Sequence, residues 1–424
     1  MRKKFFLQTY GCKLNQADSE IIRGILLKKF QEASEKEADF VVINSCGVIQ
    51  KTENKIVRKI KSLKKNKKKI ILAGCLPLIN PEIMDMVEGV IGPEDLLKIN
   101  EVALEILRGK KVIKISKRKI NKAKYYSYRV IDKDSCVAIV PISEGCMGNC
   151  SYCATKFARK KLKSYKIEDI LEEINYFLDA GAKEIHLTSQ DLGCFGLDRG
   201  SLELSKLLKG ILKINKEFRI RLGMANPSYI KLIIKPLISI LKEEKIYKYL
   251  HIPVQSGSDK ILRLMKRGYR ADDFREMVSL LRREIPEITI VTDFIVGFPQ
   301  ETGEDFQKSV QLIKGTKPNI INITKFSPRK NTEASKLKDL PERVKTERSR
   351  FLNLISQEIK TKDQKKYLGR IFKKILIAQK GKDNTLIVRL PNFKAVILKN
   401  GKVGEWVDVK IVDWRENYLL GEIV

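Results

Sequence analysis

Cys136-Val-Ala-Ile-Val-Pro-Ile142-Ser-Glu-Gly-Cys146-Met-Gly-Asn-Cys150-Ser-Tyr-Cys153 is a short apolar run that opens into three cysteines packed into eight residues. The apolar run reads as a buried strand, and the cysteine spacing x3 then x2 reads as a metal loop on a tight turn. Downstream the same strand-then-helix rhythm repeats. Further strands are expected at Glu184–Thr188, Phe218–Met224, Tyr249–Val254, Thr289–Val296 and Ile320–Phe326. Amphipathic helices lie between them, such as Ile167–Ala180, Ile230–Lys242 and Asp305–Lys314. Six such units in about 200 residues exceed a small sheet and fall short of the eight of a full barrel, so a partial (βα)6 barrel is expected.

Upstream, strands at Lys4–Thr9, Asp39–Asn44 and Lys69–Ala73 alternate with helices at Gln16–Lys29 and Lys51–Leu63, the pattern of a small open parallel sheet. Cys12, Cys46 and Cys75 each follow one of these strands by a residue or two. The carboxyl ends of parallel strands share one edge, where ligands bind, so these three cysteines are expected to meet in space. From Arg108 to Lys124 there are nine basic residues and no acid, read as a linker. After a long polar helix near Pro341–Lys366, five short strands follow with period two, at Ile371–Ile377, Thr385–Leu390, Lys394–Leu398, Glu405–Val412 and Tyr418–Val424. They suggest an all-β, OB-like barrel, a common nucleic-acid platform. The expected class is thus α/β with an all-β end, in units 1–110, 132–362 and 364–424.

Composition sets the setting. At 43% hydrophobic and 32% charged, the 424 residues are those of a folded chain rather than a disordered or collagenous one. No apolar run reaches the roughly 18 residues of a membrane span, and a cytoplasmic protein without membrane contact is expected. Eight cysteines in a reducing compartment point away from disulfides. The net charge of +33 is most easily understood if a polyanion neutralises it. Lys61–Lys69 has six lysines and no acid, and 13 basic against 6 acidic residues follow Gln364. Both are candidate RNA contacts, although a run of lysines is equally a solvated helix face.

Three thiolates suit zinc only with a fourth ligand or water, and most iron–sulfur clusters take four cysteines. Three cysteines on a 4Fe–4S cube leave one iron open to chelate the amino and carboxylate groups of S-adenosylmethionine. Cys146, Cys150 and Cys153, with Tyr152, resemble the radical S-adenosylmethionine signature, in which the aromatic lies against the adenine. Polar turns after other strands offer further cofactor contacts: Gln190 and Asp191 for the methionine moiety, and Gln255 and Ser256 for the ribose. In the Gly297-Phe-Pro-Gln-Glu301 turn, Gly297 allows backbone approach, and Glu301 is a further candidate. His186 is expected to be a satisfied core residue; His251 is open to either role. Cys136 reads as core, and Cys194 has no assigned role.

The order of parts resembles the radical S-adenosylmethionine methylthiotransferases over nearly the whole chain: a cluster domain, a radical barrel and a TRAM domain. The resemblance rests on Thr9-Tyr-Gly-Cys12-Lys-Leu-Asn15-Gln16-Ala-Asp18, Asn44-Ser-Cys46-Gly47-Val, Ala73-Gly-Cys75-Leu-Pro77 and Glu144-Gly145-Cys146. It implies two 4Fe–4S clusters, the second on Cys12, Cys46 and Cys75, with S-adenosylmethionine as co-substrate and an electron donor as partner. Tyr152-Cys153-Ala-Thr155-Lys156-Phe-Ala158-Arg159, Leu187-Thr188-Ser189-Gln190-Asp191-Leu-Gly193 and Gly223-Met224-Ala-Asn226-Pro227 are most similar to the archaeal and eukaryotic branch. That branch methylthiolates carbon 2 of N6-threonylcarbamoyladenosine beside the anticodon, implying a tRNA anticodon stem-loop as partner and a monomeric enzyme. The other branches act on isopentenylated adenosine or on a ribosomal-protein aspartate, and a non-catalytic iron–sulfur tRNA-binding protein is the alternative of another class. Lys160 stands where the family pattern has Gly, and Lys330-Asn331 where it has Pro-Gly, both expected near substrate-facing loops.

Overall fold

The strand Phe40–Ser45 is buried at every position, as befits a parallel strand covered on both faces. In the computed structural model, which describes residues 2–116, 120–130, 132 and 134–424, it lies inside a six-stranded, all-parallel sheet. The order across the sheet is Gln31–Glu32, Lys4–Thr9, Phe40–Ser45, Lys69–Gly74, Gly89–Ile91 and Val112–Lys114. Side chains alternate between the faces. Phe40 and Val42 pack toward the Lys13–Leu27 and Ile99–Leu107 helices, whereas Val41 and Ile43 pack toward the Gln50–Lys65 helix.

The segment read as a linker does more than connect. Val112–Lys114 adds the last strand of this sheet, beyond residue 110. Lys122–Tyr128 is a 3-10 turn laid against the Lys13–Leu27 helix, and the Lys122 side chain is buried. Residues 117–119 of that basic run lie outside the described residues.

The second unit contains the six expected strands, Val137–Pro141, Glu184–Thr188, Arg219–Arg221, Tyr249–His251, Thr289–Val296 and Ile320–Lys325. They form two parallel three-stranded groups, joined by the parallel bridges Ile220↔Ile246 and Met224↔His251. Their spatial order is therefore their sequence order, with helices packed on the outer face. Two strands are shorter than the sequence suggests. Gly223 approaches the neighbouring strand so closely that a Cβ would meet the Leu187 carbonyl oxygen at 2.8 Å, and Pro253 has no amide for the ladder.

The end of the chain forms a closed five-stranded barrel from Ile371–Lys380, Leu386–Arg389, Ala395–Leu398, Leu419–Ile423 and Trp406–Trp414, with its own core. It docks on the larger barrel through backbone. The Cys136 amide donates to Ala378 O at 2.9 Å, and the Lys248 amide to Pro391 O at 2.8 Å. Cys136 is buried in this contact. Among the described residues, no helix is long and apolar enough to cross a membrane.

Candidate metal centres and active site

Cys12, Cys46 and Cys75 stand just past the ends of three neighbouring strands, whose register pairs Thr9 with Asn44 and Asn44 with Ala73. Two glycines allow the loops to close up. A Cβ on Gly11, at φ +136°, would lie 2.9 Å from Cys46 Cβ, and one on Gly74, at φ +91°, would meet Ser45 O at 2.5 Å. Asn15 and Asn44 pin the loops together: Asn15 Nδ2 donates to Ser45 O at 3.0 Å, and Asn44 Nδ2 donates to Asn15 O at 2.8 Å. Cys12 is exposed, Cys46 half-buried and Cys75 buried. Burial pushes the Cys46 thiol up to about 11 and raises that of Cys75, so cations or a metal are needed to hold them as thiolates.

The second cysteine loop is closed at its base by a small antiparallel pair, Ser143↔Ser164 and Glu144↔Lys163. Gly145 is required there. At φ +77°, a Cβ would meet Lys161 O at 2.1 Å. Gln190 accepts from the Gly145 amide at 2.7 Å, which fixes where the loop leaves the strand. Sulfur receives N–H donors on both sides of the loop, from the Gly148 amide to Cys146 at 3.1 Å and from Arg267 Nη1 to Cys150 at 3.2 Å. The Gly148 donor favours the thiolate form of Cys146. Arg267 was not singled out in the sequence, and no local motif marks it.

A single tetrahedral ion about 2.3 Å from each sulfur draws its ligands within about 4 Å of one another. Among the described residues, the only three such ligand atoms within 4.8 Å of each other belong to Cys146, Asp191 and Cys194. Neither cysteine triad is closed to single-ion spacing. Cys194, left without a role by its sequence position, lies beside Cys146. A hydrogen bond from Cys194, against the penalty of burial, lowers the Cys146 thiol.

The cofactor candidates divide. Tyr152 packs edge-on against Phe298 with ring centroids 6.5 Å apart. Asp191 is buried, and its Oδ1 accepts from the amides of Gly193 at 3.0 Å and Asn226 at 2.9 Å. Burial raises it to about 6 against those donors. Gln255 takes a left-handed φ of +71°, and its amide donates to Asp293 O at 2.8 Å. Ser256 faces inward instead: it is fully buried, accepts from the Ser258 amide at 3.2 Å and lies 3.4 Å from the Ser309 hydroxyl. Glu301 is likewise spent within the turn, accepting from the Gly297 amide at 2.7 Å and pairing with Arg348. Gly297 is needed at φ +70°, with Lys345 packed where a Cβ would stand. His251 Nε2 lies 2.8 Å from Asp293.

Between the two cysteine loops lies a buried ion cluster. Arg159 Nη2 pairs with Asp18 at 2.7 Å and its Nη1 with Glu144 at 2.5 Å, while Lys122 reaches both acids at 2.6 Å. The same guanidinium donates through Nε to Cys75 Sγ at 3.2 Å. Asp18 sits on the helix that follows Cys12, and Glu144 two residues before Cys146, so one side chain ties both loops together.

The two departures from the family pattern have backbone consequences. Lys160 sits at φ +55° and ψ −152°, a region almost reserved for glycine. Asn331 sits at φ +68°, where Asn is the least strained substitute for glycine. The Lys330-Asn331 segment docks on the first unit. Lys330 pairs with Glu82, and Arg329 is buried against Gln50 and Glu53.

Residues 140–313 match the radical SAM superfamily, residues 4–91 the "Uncharacterized protein family UPF0004", and residues 365–424 the TRAM domain. The chain is 43% identical over 417 residues, 98% of each chain, to a "Probable threonylcarbamoyladenosine tRNA methylthiotransferase" of Archaeoglobus fulgidus. It is 34% identical over 433 residues to the threonylcarbamoyladenosine tRNA methylthiotransferase of Homo sapiens, covering all of this chain and 74% of that one. In fold it is similar to a radical S-adenosylmethionine methyltransferase from Kitasatospora setae solved with cobalamin and a 4Fe–4S cluster. That likeness has a TM-score of 0.55 at 14% identity, covering 79% of this chain and 77% of the other.

Proposed function

We infer function from family: this chain belongs to the radical S-adenosylmethionine methylthiotransferases. We propose that it converts N6-threonylcarbamoyladenosine next to the tRNA anticodon to its 2-methylthio derivative. The observation that carries the reading is full-length identity to relatives bearing that activity in their names, and the two cysteine triads linked through Arg159 support it.

Cys146, Cys150 and Cys153 would hold the cluster that binds S-adenosylmethionine, and Cys12, Cys46 and Cys75 a second one; when bound, these groups would supply a 5′-deoxyadenosyl radical and a sulfur source. The chain's own residues prepare the site. Arg267 and the Gly148 amide bind sulfur on the first loop, and Arg159 does so on the second. Gln190 sets the path of the first loop. Asp191 shapes the turn beside Cys146, and Tyr152 presents an aromatic wall. Three domains, the expected 1–110 unit extended by the strand Val112–Lys114 and those at 132–362 and 364–424, would then divide the work into sulfur delivery, radical generation and RNA grip, in the cytoplasm and with an external electron donor.

The test is mass spectrometry of tRNA nucleosides from a host lacking its own enzyme. Wild type should yield the 2-methylthio derivative of threonylcarbamoyladenosine. Cys46→Ala should abolish it while S-adenosylmethionine cleavage persists, and Cys150→Ala should abolish both. Product from Cys46→Ala would end the division of labour. Methylthiolated isopentenyladenosine or ribosomal-protein aspartate instead would move the chain to another branch.

A further inference from the structure

On the barrel face opposite the helices, His186 and Arg221 are register partners on adjacent parallel strands. The small barrel reaches this spot with the turn Pro391-Asn392-Phe393, which carries the Phe393 ring to 5.6 Å from His186 and 5.0 Å from both Tyr247 and Tyr249. Phe393 holds φ +66° to do so, a costly left-handed conformation for an aromatic residue. Two guanidinium groups share the ring: Arg221 at 5.7 Å and Arg389 at 4.8 Å from its centroid. Arg221 also donates to Tyr249 Oη at 3.1 Å.

Among the described residues, neither arginine has an ion-pair partner. The acid of this cluster, Glu184, is already engaged, with Oε1 2.5 Å from His186 Nε2 and Oε2 accepting from Tyr247 at 2.6 Å. One polar atom is orphaned as well: His186 Nδ1 is buried without a hydrogen-bond partner. Glu184 is the carboxylate of the cluster and is already shared by His186 and Tyr247, so two half-buried guanidinium groups on one ring favour an added anion.

We propose that Arg221 and Arg389, floored by Phe393, bind the carboxylate of the threonyl group on the target adenosine, with His186 Nδ1 accepting from its hydroxyl. This rests on threonylcarbamoyladenosine being the substrate. An isopentenyl group has no charge to offer two guanidinium groups, whereas the threonyl group offers a carboxylate and a neighbouring hydroxyl donor. A backbone phosphate would satisfy the same cations. The site, however, lies where the small barrel docks on the larger one, beside the buried Tyr247 and Tyr249, rather than on an open lysine-rich face that a phosphate chain tracks. The subsite draws on the larger barrel and on the small barrel docked against it, so recognition of the modified base requires the two together.

The test is equilibrium binding of the cluster-loaded protein to three anticodon stem-loops, carrying threonylcarbamoyladenosine, its methyl ester or unmodified adenosine. Wild type should bind the first about 10- to 100-fold more tightly than the other two, the scale of hydrogen bonds to a charged group. Arg221→Gln and Arg389→Gln should erase that preference while holding unmodified RNA as before, and Arg221→Lys should restore part of it. Unchanged circular dichroism and iron content exclude a folding failure. Equal loss on all three RNAs would assign the arginines to phosphate, and a preference intact in both variants would remove them from recognition. Either result overturns the subsite. If wild type methylthiolates the threonylcarbamoyl RNA and only the preference test fails, the functional reading stands; if wild type leaves that RNA untouched, both fall.

Discussion

Arg159 occupies a position where no other side chain has the reach. It is 1% exposed, and its three nitrogens address Cys75, Glu144 and Asp18 in different directions. Removing one partner from a buried ion cluster leaves uncompensated charge, at about 3–5 kcal/mol. Arg159→Met should therefore cost about that much in a urea titration. Arg159→Lys should recover little, because one ammonium cannot span the three groups of a fork. A titration superimposing on wild type would show the cluster to be structurally neutral. The residue itself was legible in the sequence as part of the cysteine-loop pattern. Its contact with Cys75 was not, since 84 residues separate them and only the docked units bring them together.

At the scale of elements, most strands were legible because buried parallel strands are continuous apolar runs with turn residues at their ends. Glu184–Thr188 and Thr289–Val296 fall where expected. The Lys122–Tyr128 turn was hidden, because a run of lysines reads as solvated surface and nothing local says that Lys122 meets Asp18 and Glu144. Its packing makes Gly24 informative. Replacing a glycine inside a helix by alanine ordinarily stabilises by about 1 kcal/mol. Here a Cβ on Gly24 would stand 1.6 Å from the Tyr128 carbonyl oxygen, so Gly24→Ala should lower the urea midpoint instead. A raised midpoint would mean that the turn yields easily and is only loosely held on the helix.

For the molecule as a whole, charge is the property that selects partners. The exposed face of the Gln50–Lys65 helix carries Lys51, Lys55, Lys61, Lys64 and Lys65. Of the six lysines in 61–69, however, two are tied down, Lys68 to the carbonyls of Lys36 and Ala38 and Lys69 to those of Ile106 and Leu107. If this face holds RNA phosphates, replacing Lys61 and Lys65 by Gln should reduce the slope of log K against log salt by about one per lysine. An unchanged slope would identify a solvated face. Either way, the preference for the modified base should survive, because it belongs to the contact between the two barrels.

The sequence alone pointed to the three-part architecture and set each cysteine of the two triads after a strand, because strand periodicity and ligand spacing are local patterns; the chemistry class came with the family resemblance of its contiguous motifs. It also held no apolar run of membrane-span length, and its net charge pointed to a polyanion partner. Tertiary structure alone decided which polar residues face the site. Ser256 and Glu301 turned inward to hold their own turns, while Cys194, Arg267 and Phe393 came in from distant segments. Side-chain direction depends on which surfaces close against each other. Those contacts, such as Phe393 over Tyr249 or Arg159 on Cys75, join residues whose separation in the chain carries no record of the meeting.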